Sequence, residues 1–408
     1  MSTQTYLVIG GGMAGGRAAE TLRTAGFDGR IRLICAESEP PYQRPPLSKE
    51  YLRGEREARS LFLRPLDFYE LHQIELLTNR RVTRIEVLAK RAYLENGEAI
   101  AYDKALVATG ATPRRLTVPG SDLPGVVTLR TIDEGRWLKA RFEQRPRVLV
   151  VGSGFIGCEV AASARALGCE VTMVSRSLPL SRALGDRFGE IYASVHRERG
   201  VDVRLGADIA RFDGSGRLET AVTTAGENVA CDVAVAGVGV LPDTTLLADQ
   251  PVKLENGIVT DELCRAGADG LFAAGDVANW WHPKLQRRIR IEHFDNAKNQ
   301  GVAAAKSMLG ETDPYAPIPY FWSDQYDLNL QYVGSSSADD RIVLRGDPES
   351  RSFSGFFLAG DGRLTACAAV NRARDLAAAR KLLQSERLVS PEQLADDSFD
   401  LKQLAATE

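Results

Sequence analysis

The chain carries one unusual glycine spacing twice, and that repetition limits its fold more than any other feature. In LVIGGGMAGGRAAE near the amino end, Gly10, Gly12 and Gly15 stand in the order G-x-G-x-x-G; in VVGSGFIGCEV the same order recurs at Gly152, Gly154 and Gly157. Each copy follows a short apolar run (TYLVIG, RVLVVG) and opens a stretch of helical periodicity (MAGGRAAETLRTAG, GCEVAASARALG). In a strand–turn–helix unit each glycine has a task. One makes the tight turn, one lets backbone N–H groups approach a pyrophosphate, and one lets helix and strand pack closely. The anion then rests on the helix N-terminus, where unpaired N–H groups and the dipole favour it. After the first unit, the strand RIRLICAE closes on Glu37, roughly 20 residues beyond the last glycine, where a carboxylate can accept from a ribose diol.

The two halves stay alike further on. YDKALVATGATP (102–113) and CDVAVAGVGVLPD (231–243) are apolar strands stopping at glycine, and GLFAAGDVANWW (270–281) places Asp276 at a carboxyl edge, where open α/β sheets bind ligands. Beyond about residue 318 the pattern becomes short strands (LNLQYVG, RIVLRG), an Asp361-Gly362 hairpin and an amphipathic helix, RDLAAARKLLQS. The expected class is α/β, with two Rossmann-like dinucleotide-binding domains and a C-terminal α+β domain. The first nucleotide domain spans 1–113 and 242–317, the second interrupts it at 114–241, and the last occupies 318–408.

Composition narrows the function. A net charge of −3 argues against a general polyanion binder, and no apolar run approaches the ~20 residues of a membrane helix. The polar MSTQT runs straight into the first strand, so a cytoplasmic protein without a leader is expected. The cysteines (Cys35, Cys158, Cys169, Cys231, Cys264, Cys367) form no C-x-x-C pair, and the histidines (His72, His196, His282, His293) are scattered. Buried reduced thiols and no protein metal site are the expectation.

With these residues in hand, the chain resembles the FAD-containing ferredoxin reductases of bacterial oxygenase systems, the family of putidaredoxin reductase and the reductase components of aromatic-ring dioxygenases. The resemblance rests on GGGMAG, PYQRPPLSK (41–49), ATGATPR (108–114), TLRT (128–131), GSGFIGCE (152–159), FAAGDVA (272–278), RIEHFDNAKNQG (290–301) and YFWSDQ (320–325). It implies one site for FAD and one for NADH or NADPH. A nicotinamide delivers two electrons together whereas a [2Fe–2S] ferredoxin accepts one at a time, and a flavin mediates between them.

Carried onto this sequence, the resemblance implies that Gly10, Gly12, Ala14 and Gly15 hold the FAD pyrophosphate and Glu37 the adenosine ribose. Arg44, Lys49, Val82, Ala108, Thr109, Gly110 and Arg130 would line the cofactor, Asp276 would meet the ribityl chain, and Phe294 would approach the flavin. Lys49 would stand near the isoalloxazine, Glu159 and Glu292 would orient the nicotinamide, and Trp322 would border the flavin. Gly152, Gly154, Gly157 and Gly239 belong to the nicotinamide site. A solvated helix-start lysine and ordinary core packing are the structural alternatives for Lys49 and Trp322.

Departures from relatives matter too. Disulfide reductases of this general kind place reactive cysteines on the first helix after the FAD turn, yet no cysteine lies between Cys35 and Cys158. Electrons must then leave directly for an external acceptor. At the end of the second domain's EVTMVS strand, where NADH-using relatives carry an acid, Ser175 is followed by Arg176 and later Arg182. Local chemistry there favours the 2′-phosphate of NADPH, whereas family habit favours NADH. Lys284, Arg287, Arg288 and Arg290, with Trp280 and Trp281 before them, form a basic run that could steer an acidic ferredoxin or serve as a solvated strand face. The expected function is electron transfer from NAD(P)H through FAD to a ferredoxin, and through it to a terminal oxygenase, with neither nucleic acid nor membrane as a partner. Alternatives are a reductase of a small acceptor such as oxygen or a quinone, and a redox-sensing flavoprotein resembling apoptosis-inducing factor.

Overall fold

The computed structural model describes residues 4–385 and 388–406; Met1 to Thr3 of the polar opening and residues 386–387 and 407–408 of the last domain lie outside the described residues. The chain divides into two compact units. One comprises Met1–Pro45, Glu57–Thr112 and Val240–Pro317, the other Pro46–Arg56, Pro113–Gly239 and Ile318–Glu408.

The first unit is built on a five-stranded sheet whose neighbours run Ile74–Leu77, Arg30–Ile34, Thr5–Ile9, Lys104–Val107 and Leu271–Ala273. Every pairing is parallel. The central strands are continuous apolar runs because both faces are covered, as parallel sheets require. The helix Met13–Thr24 packs against the long helix Phe294–Met308 at close range. A Cβ on Gly301 would stand 2.3 Å from the Ala14 carbonyl oxygen, so only glycine allows that approach.

The second unit repeats the plan. Its parallel sheet runs Val201–Leu205, Glu170–Ser175, Arg147–Val151, Val233–Ala236 and Val126–Val127. Leaving aside the edge strand, which is last in the chain in the first unit (Leu271–Ala273) and first in the second (Val126–Val127), both sheets have the order third, second, first, fourth, and the strand that leads into the glycine turn sits inside the sheet. Both also insert a three-stranded antiparallel sheet before the fourth strand, Val82–Ala101 in one and Ile209–Ala230 in the other.

The second unit also contains a five-stranded antiparallel sheet in the order Tyr320–Gln325, Leu328–Gly334, Leu364–Val370, Ser352–Leu358 and Arg341–Asp347. The hairpin between its two strands Ser352–Leu358 and Leu364–Val370 turns at Asp361-Gly362, with Gly362 at φ +85°. Helix Ala373–Ser385 covers this sheet, and two short helices follow at Pro391–Ala395 and Leu401–Ala406.

Burial pushes His196, on helix Asp186–Glu198, down to about 4, against a smaller opposing hydrogen bond from Gln325. The folded chain therefore holds it neutral where the unfolded chain takes up a proton near pH 6.5. Its contribution is complete above pH 6.5 and is lost as the pH falls toward 4, by about 3 kcal/mol at most. Denaturant midpoints of the His196→Gln protein should fall less between pH 7 and 4.5 than those of the wild type; an identical fall would refute the assignment.

Candidate functional site

The two glycine turns are superimposable in their logic. Gly10 has φ +121° and Gly152 has φ +95°, values favoured by glycine. A Cβ on Gly10 would lie 2.2 Å from the Ala108 carbonyl oxygen, and one on Gly152 would lie 2.5 Å from that of Gly237, so each first glycine is pressed against the end of the fourth strand of its sheet. The third glycines lie beneath the turn: a Cβ on Gly15 would meet the Gly10 oxygen at 1.9 Å, and on Gly157 the Gly152 oxygen at 2.2 Å. The middle glycines differ. Gly12 and Gly154 are N-caps of Met13–Thr24 and Phe155–Ala166, neither with a side-chain cap, and a Cβ on either would meet nothing within 4 Å. Two helix N-termini with unpaired N–H groups thus face open space, the setting a pyrophosphate needs.

Around the first turn, Arg44 Nη2 donates to Glu37 Oε1 at 2.6 Å and the Tyr42 hydroxyl donates to Glu37 Oε2 at 2.5 Å. The carboxylate expected at a ribose is therefore oriented by two neighbours, and Tyr42 escaped the sequence reading although it lies in PYQRPPLSK. Ala108 and Val82 are buried, and Thr109 Oγ1 donates to the Asp243 carbonyl at 2.7 Å. Gly110 lies at φ +73° and its carbonyl accepts from Asp243 N–H at 3.0 Å. Asp276 is buried in the turn after Leu271–Ala273, and the preceding Gly275 N–H donates to Gln300 Oε1 at 2.9 Å. Gln300 Nε2 is buried beside that turn without a partner, an orphaned donor of the kind a bound polar group satisfies. The donor set and open cradle fit a dinucleotide.

Phe294 opens helix Phe294–Met308, half-buried, while Glu292 is exposed and paired with Arg290 Nη1 at 2.6 Å. Arg290 Nη1 also donates to the Asp276 carbonyl at 3.1 Å. That removes Arg290 from the basic run, because its charge is turned inward. Trp280 is fully buried, whereas Lys284, Arg287 and Arg288 are exposed, the last although its Nη1 donates to the Thr260 carbonyl at 2.7 Å.

In the second unit the segment Pro46–Arg56 lies against helix Phe155–Ala166, where Ser163 Oγ donates to the Ser48 carbonyl at 2.7 Å. Lys49, on this segment, is only 4% exposed and Glu159 3%, with Nζ 3.1 Å from Glu159 Oε2. The solvated-lysine alternative is thereby overturned. Ser48 Oγ donates to the same oxygen at 2.5 Å, and Ser323 Oγ donates to Oε1 at 2.7 Å, so both carboxylate oxygens are engaged. Ser323 was missed, yet the strand YFWSDQ alternates and sends it to the face opposite Trp322, which is half-buried. Arg130, half-buried, precedes helix Ile132–Phe142, and its N–H donates to Glu134 Oε2 at 2.7 Å beside a Thr131–Glu134 capping box. Gly239 has φ +98°, and its carbonyl accepts from Arg114 N–H at 2.9 Å.

Ser175 ends its strand buried, with Oγ 2.7 Å from Ser153 Oγ and accepting from Ser177 N–H at 3.3 Å. Arg176 is 68% exposed and leans 3.5 Å from Asp208. All six cysteines are buried and unpaired with one another. Burial, with a smaller push from Glu37, raises Cys35 to about 12. A Cβ on Gly11 would stand 2.4 Å from its sulfur, so the thiol packs beneath the first turn and is no nucleophile.

Comparisons agree with this geometry. Residues 4–301 match the model of the pyridine nucleotide-disulphide oxidoreductases and residues 320–405 that of the reductase C-terminal domain. The chain is 40% identical over 98% of its length, and 93% of the relative's, to rhodocoxin reductase of Rhodococcus erythropolis. It is 41% identical over 98% of its length, and 99% of the relative's, to the ferredoxin–NAD(+) reductase component of the anthranilate 1,2-dioxygenase system of Burkholderia cepacia. Among solved structures, the ferredoxin reductase for the CYP199A2 system of Rhodopseudomonas palustris superposes with a TM-score of 0.95 at 38% identity, covering 99% of this chain and 100% of that one. Putidaredoxin reductase in its covalent complex with putidaredoxin gives 0.95 at 32%, covering 100% of this chain and 99% of that one. The paired glycine turns, the missing thiol relay and the added C-terminal sheet therefore have one account: the chain belongs to the pyridine nucleotide-disulphide oxidoreductase family, among the ferredoxin reductases of oxygenase systems.

Proposed function

We propose that the protein takes electrons from NADH, through FAD, to a [2Fe–2S] ferredoxin that serves an oxygenase. The observation that carries this reading is the pair of uncapped glycine turns in a chain whose thiols are all buried, which leaves an external acceptor as the outlet. FAD would supply the conversion of a two-electron input into single-electron outputs. Gly10, Gly12, Ala14 and Gly15 would bind its pyrophosphate, Glu37 its ribose, and Arg44, Val82, Ala108, Thr109, Gly110, Asp276 and Phe294 the rest. Lys49, Arg130 and Trp322 would act toward the flavin, and Glu159 and Glu292 toward the nicotinamide.

Gly152, Gly154, Gly157 and Gly239 would receive the nicotinamide nucleotide. NADH is the donor we infer, because Ser175 Oγ is held by Ser153 and Ser177 and Arg176 has Asp208 beside it, so neither waits for a 2′-phosphate. The relatives named as ferredoxin–NAD(+) reductases support the same reading. A cytoplasmic location follows from the NADH supply; among the described residues no helix is long and apolar enough to cross a membrane.

The decisive experiment follows nucleotide oxidation by the flavin-loaded protein, with cytochrome c reporting electrons that leave a [2Fe–2S] ferredoxin. Cytochrome reduction should require ferredoxin and run faster with NADH than NADPH. Equal nucleotide oxidation with and without ferredoxin would replace this reading with a small-acceptor reductase.

A further inference from the structure

Beyond the Lys49–Glu159 pair, the second unit carries a chain of hydrogen bonds that runs from Tyr326 to Glu159. Gln325 Nε2 donates to Ser323 Oγ at 3.2 Å, and Ser323 in turn donates to Glu159. Gln325 Oε1 stands 3.1 Å from His196 Nε2, and the Tyr326 hydroxyl stands 2.9 Å from His196 Nδ1. The amide oxygen can only accept, so His196 Nε2 carries the proton and Nδ1 accepts from Tyr326. That tautomer agrees with an imidazole kept neutral by burial. Every donor in the series Tyr326, His196, Gln325, Ser323 points one way, and the series ends on a carboxylate.

The backbone supports this arrangement independently. Tyr326 begins the two-residue turn between Tyr320–Gln325 and Leu328–Gly334 and sits at φ +56°, a left-handed conformation unfavourable for a bulky side chain. Strain of this kind persists where surroundings over-determine it. Here they do. Arg199 lies over the Tyr326 ring at 5.4 Å and pairs with Asp327 at 2.5 Å, while Asn371 Nδ2 donates to the Asp327 carbonyl at 3.1 Å. The turn is thus fastened to the same helix end that carries His196, and the Tyr326 hydroxyl is delivered to the imidazole.

We propose that Ser323, Gln325 and His196 are positioning residues for Glu159. They fix its Oε1 while Ser48 and Lys49 hold Oε2, and so keep the Lys49–Glu159 pair in the geometry for hydride delivery. The amide of Gln325 interrupts any simple proton path, so the series orients rather than conducts. This inference rests on the proposed reduction of flavin by NADH.

The test uses the flavin-loaded protein and three variants: Gln325→Leu, Ser323→Ala and His196→Gln. His196→Gln keeps a donor toward Gln325 and serves as the rescue. At saturating NADH, Gln325→Leu and Ser323→Ala should lower the limiting rate of flavin reduction by about ten- to a hundredfold. Reoxidation of the dithionite-reduced flavin by ferricyanide should stay at the wild-type rate, while melting falls by a few degrees because each variant leaves a buried polar partner unsatisfied. His196→Gln should stay within a few-fold of wild type. Side-chain 15N spectra should show Nε2–H and bare Nδ1 for His196 in the wild type and lose that preference in Gln325→Leu. Parallel losses in both half-reactions, an unchanged limiting rate, or an Nδ1–H imidazole would overturn the proposal. Should Gln325→Leu fail to fold, Ser323→Ala alone carries the same readouts. A wild-type flavin bleached by neither nucleotide would instead overturn the functional reading, and this inference with it.

Discussion

Glutamine in place of Glu159 should slow flavin reduction by NADH about a hundredfold and destabilise the protein by about 3–5 kcal/mol. The reason is burial. Lys49 and Glu159 are each almost wholly excluded from water, and their charges meet at 3.1 Å. Removing the carboxylate strands an ammonium in a medium that solvates it poorly, which costs far more than the pair contributes. The double variant Lys49→Met/Glu159→Gln removes both charges and should regain most of the lost stability. Its rate should remain low, because the groups that orient the reactants are gone. Urea unfolding and stopped-flow bleaching separate the two effects. A double variant no more stable than Glu159→Gln would show that stranded charge is not the cause.

The glycine turn gives the second large effect, and it divides by position. Gly15→Ala drives a methyl to within 1.9 Å of the Gly10 oxygen, and Gly10→Ala adds a disfavoured φ to a 2.2 Å contact with Ala108. Both should yield colourless, unstable protein. Gly12 has φ −85° and open space where its Cβ would go, so alanine there is compatible with the fold. The Gly12→Ala protein should melt like the wild-type apoprotein but lose flavin on gel filtration, because the methyl enters the volume meant for the pyrophosphate. The ratio of flavin to protein absorbance, set beside apoprotein melting, reads the difference. Yellow Gly12→Ala protein with full flavin content would remove this turn from the cofactor site.

Local spacing made the two turns and their sheets legible. Strands such as TYLVIG and RVLVVG announce themselves by apolar runs, and the glycines fix where each stops. What spacing could not give was partnership across long sequence separations. Nothing in PPLSKEYL says that Pro46–Arg56 joins the second unit, because that depends on Ser48 and Lys49 meeting a helix more than a hundred residues away. Ser323 stayed invisible because only strand alternation together with the pairing of YFWSDQ sends it to Glu159. Adjacency in sequence groups Arg290 with the basic run, whereas its hydrogen bond to the Asp276 carbonyl is a tertiary fact. Local spacing is equally silent about the partner of Arg176, because Asp208 lies beyond the next strand and loop.

The fifth strand of the first sheet, Leu271–Ala273, and the long helix Phe294–Met308 reach the ribosome exit long after Lys104–Val107. At about 5–20 residues per second, that delay is on the order of ten seconds. Throughout it the nascent amino-terminal half presents a bare apolar edge at Leu106 and Val107 and lacks the helix that closes over Ala14. The second unit's parallel sheet, whose strands are all made by residue 236, is under no such wait. Synthesis therefore exposes the FAD half to chaperones and to misassociation while the nicotinamide sheet can already form, and flavin uptake becomes a late event that certifies the chain has passed its most aggregation-prone stage.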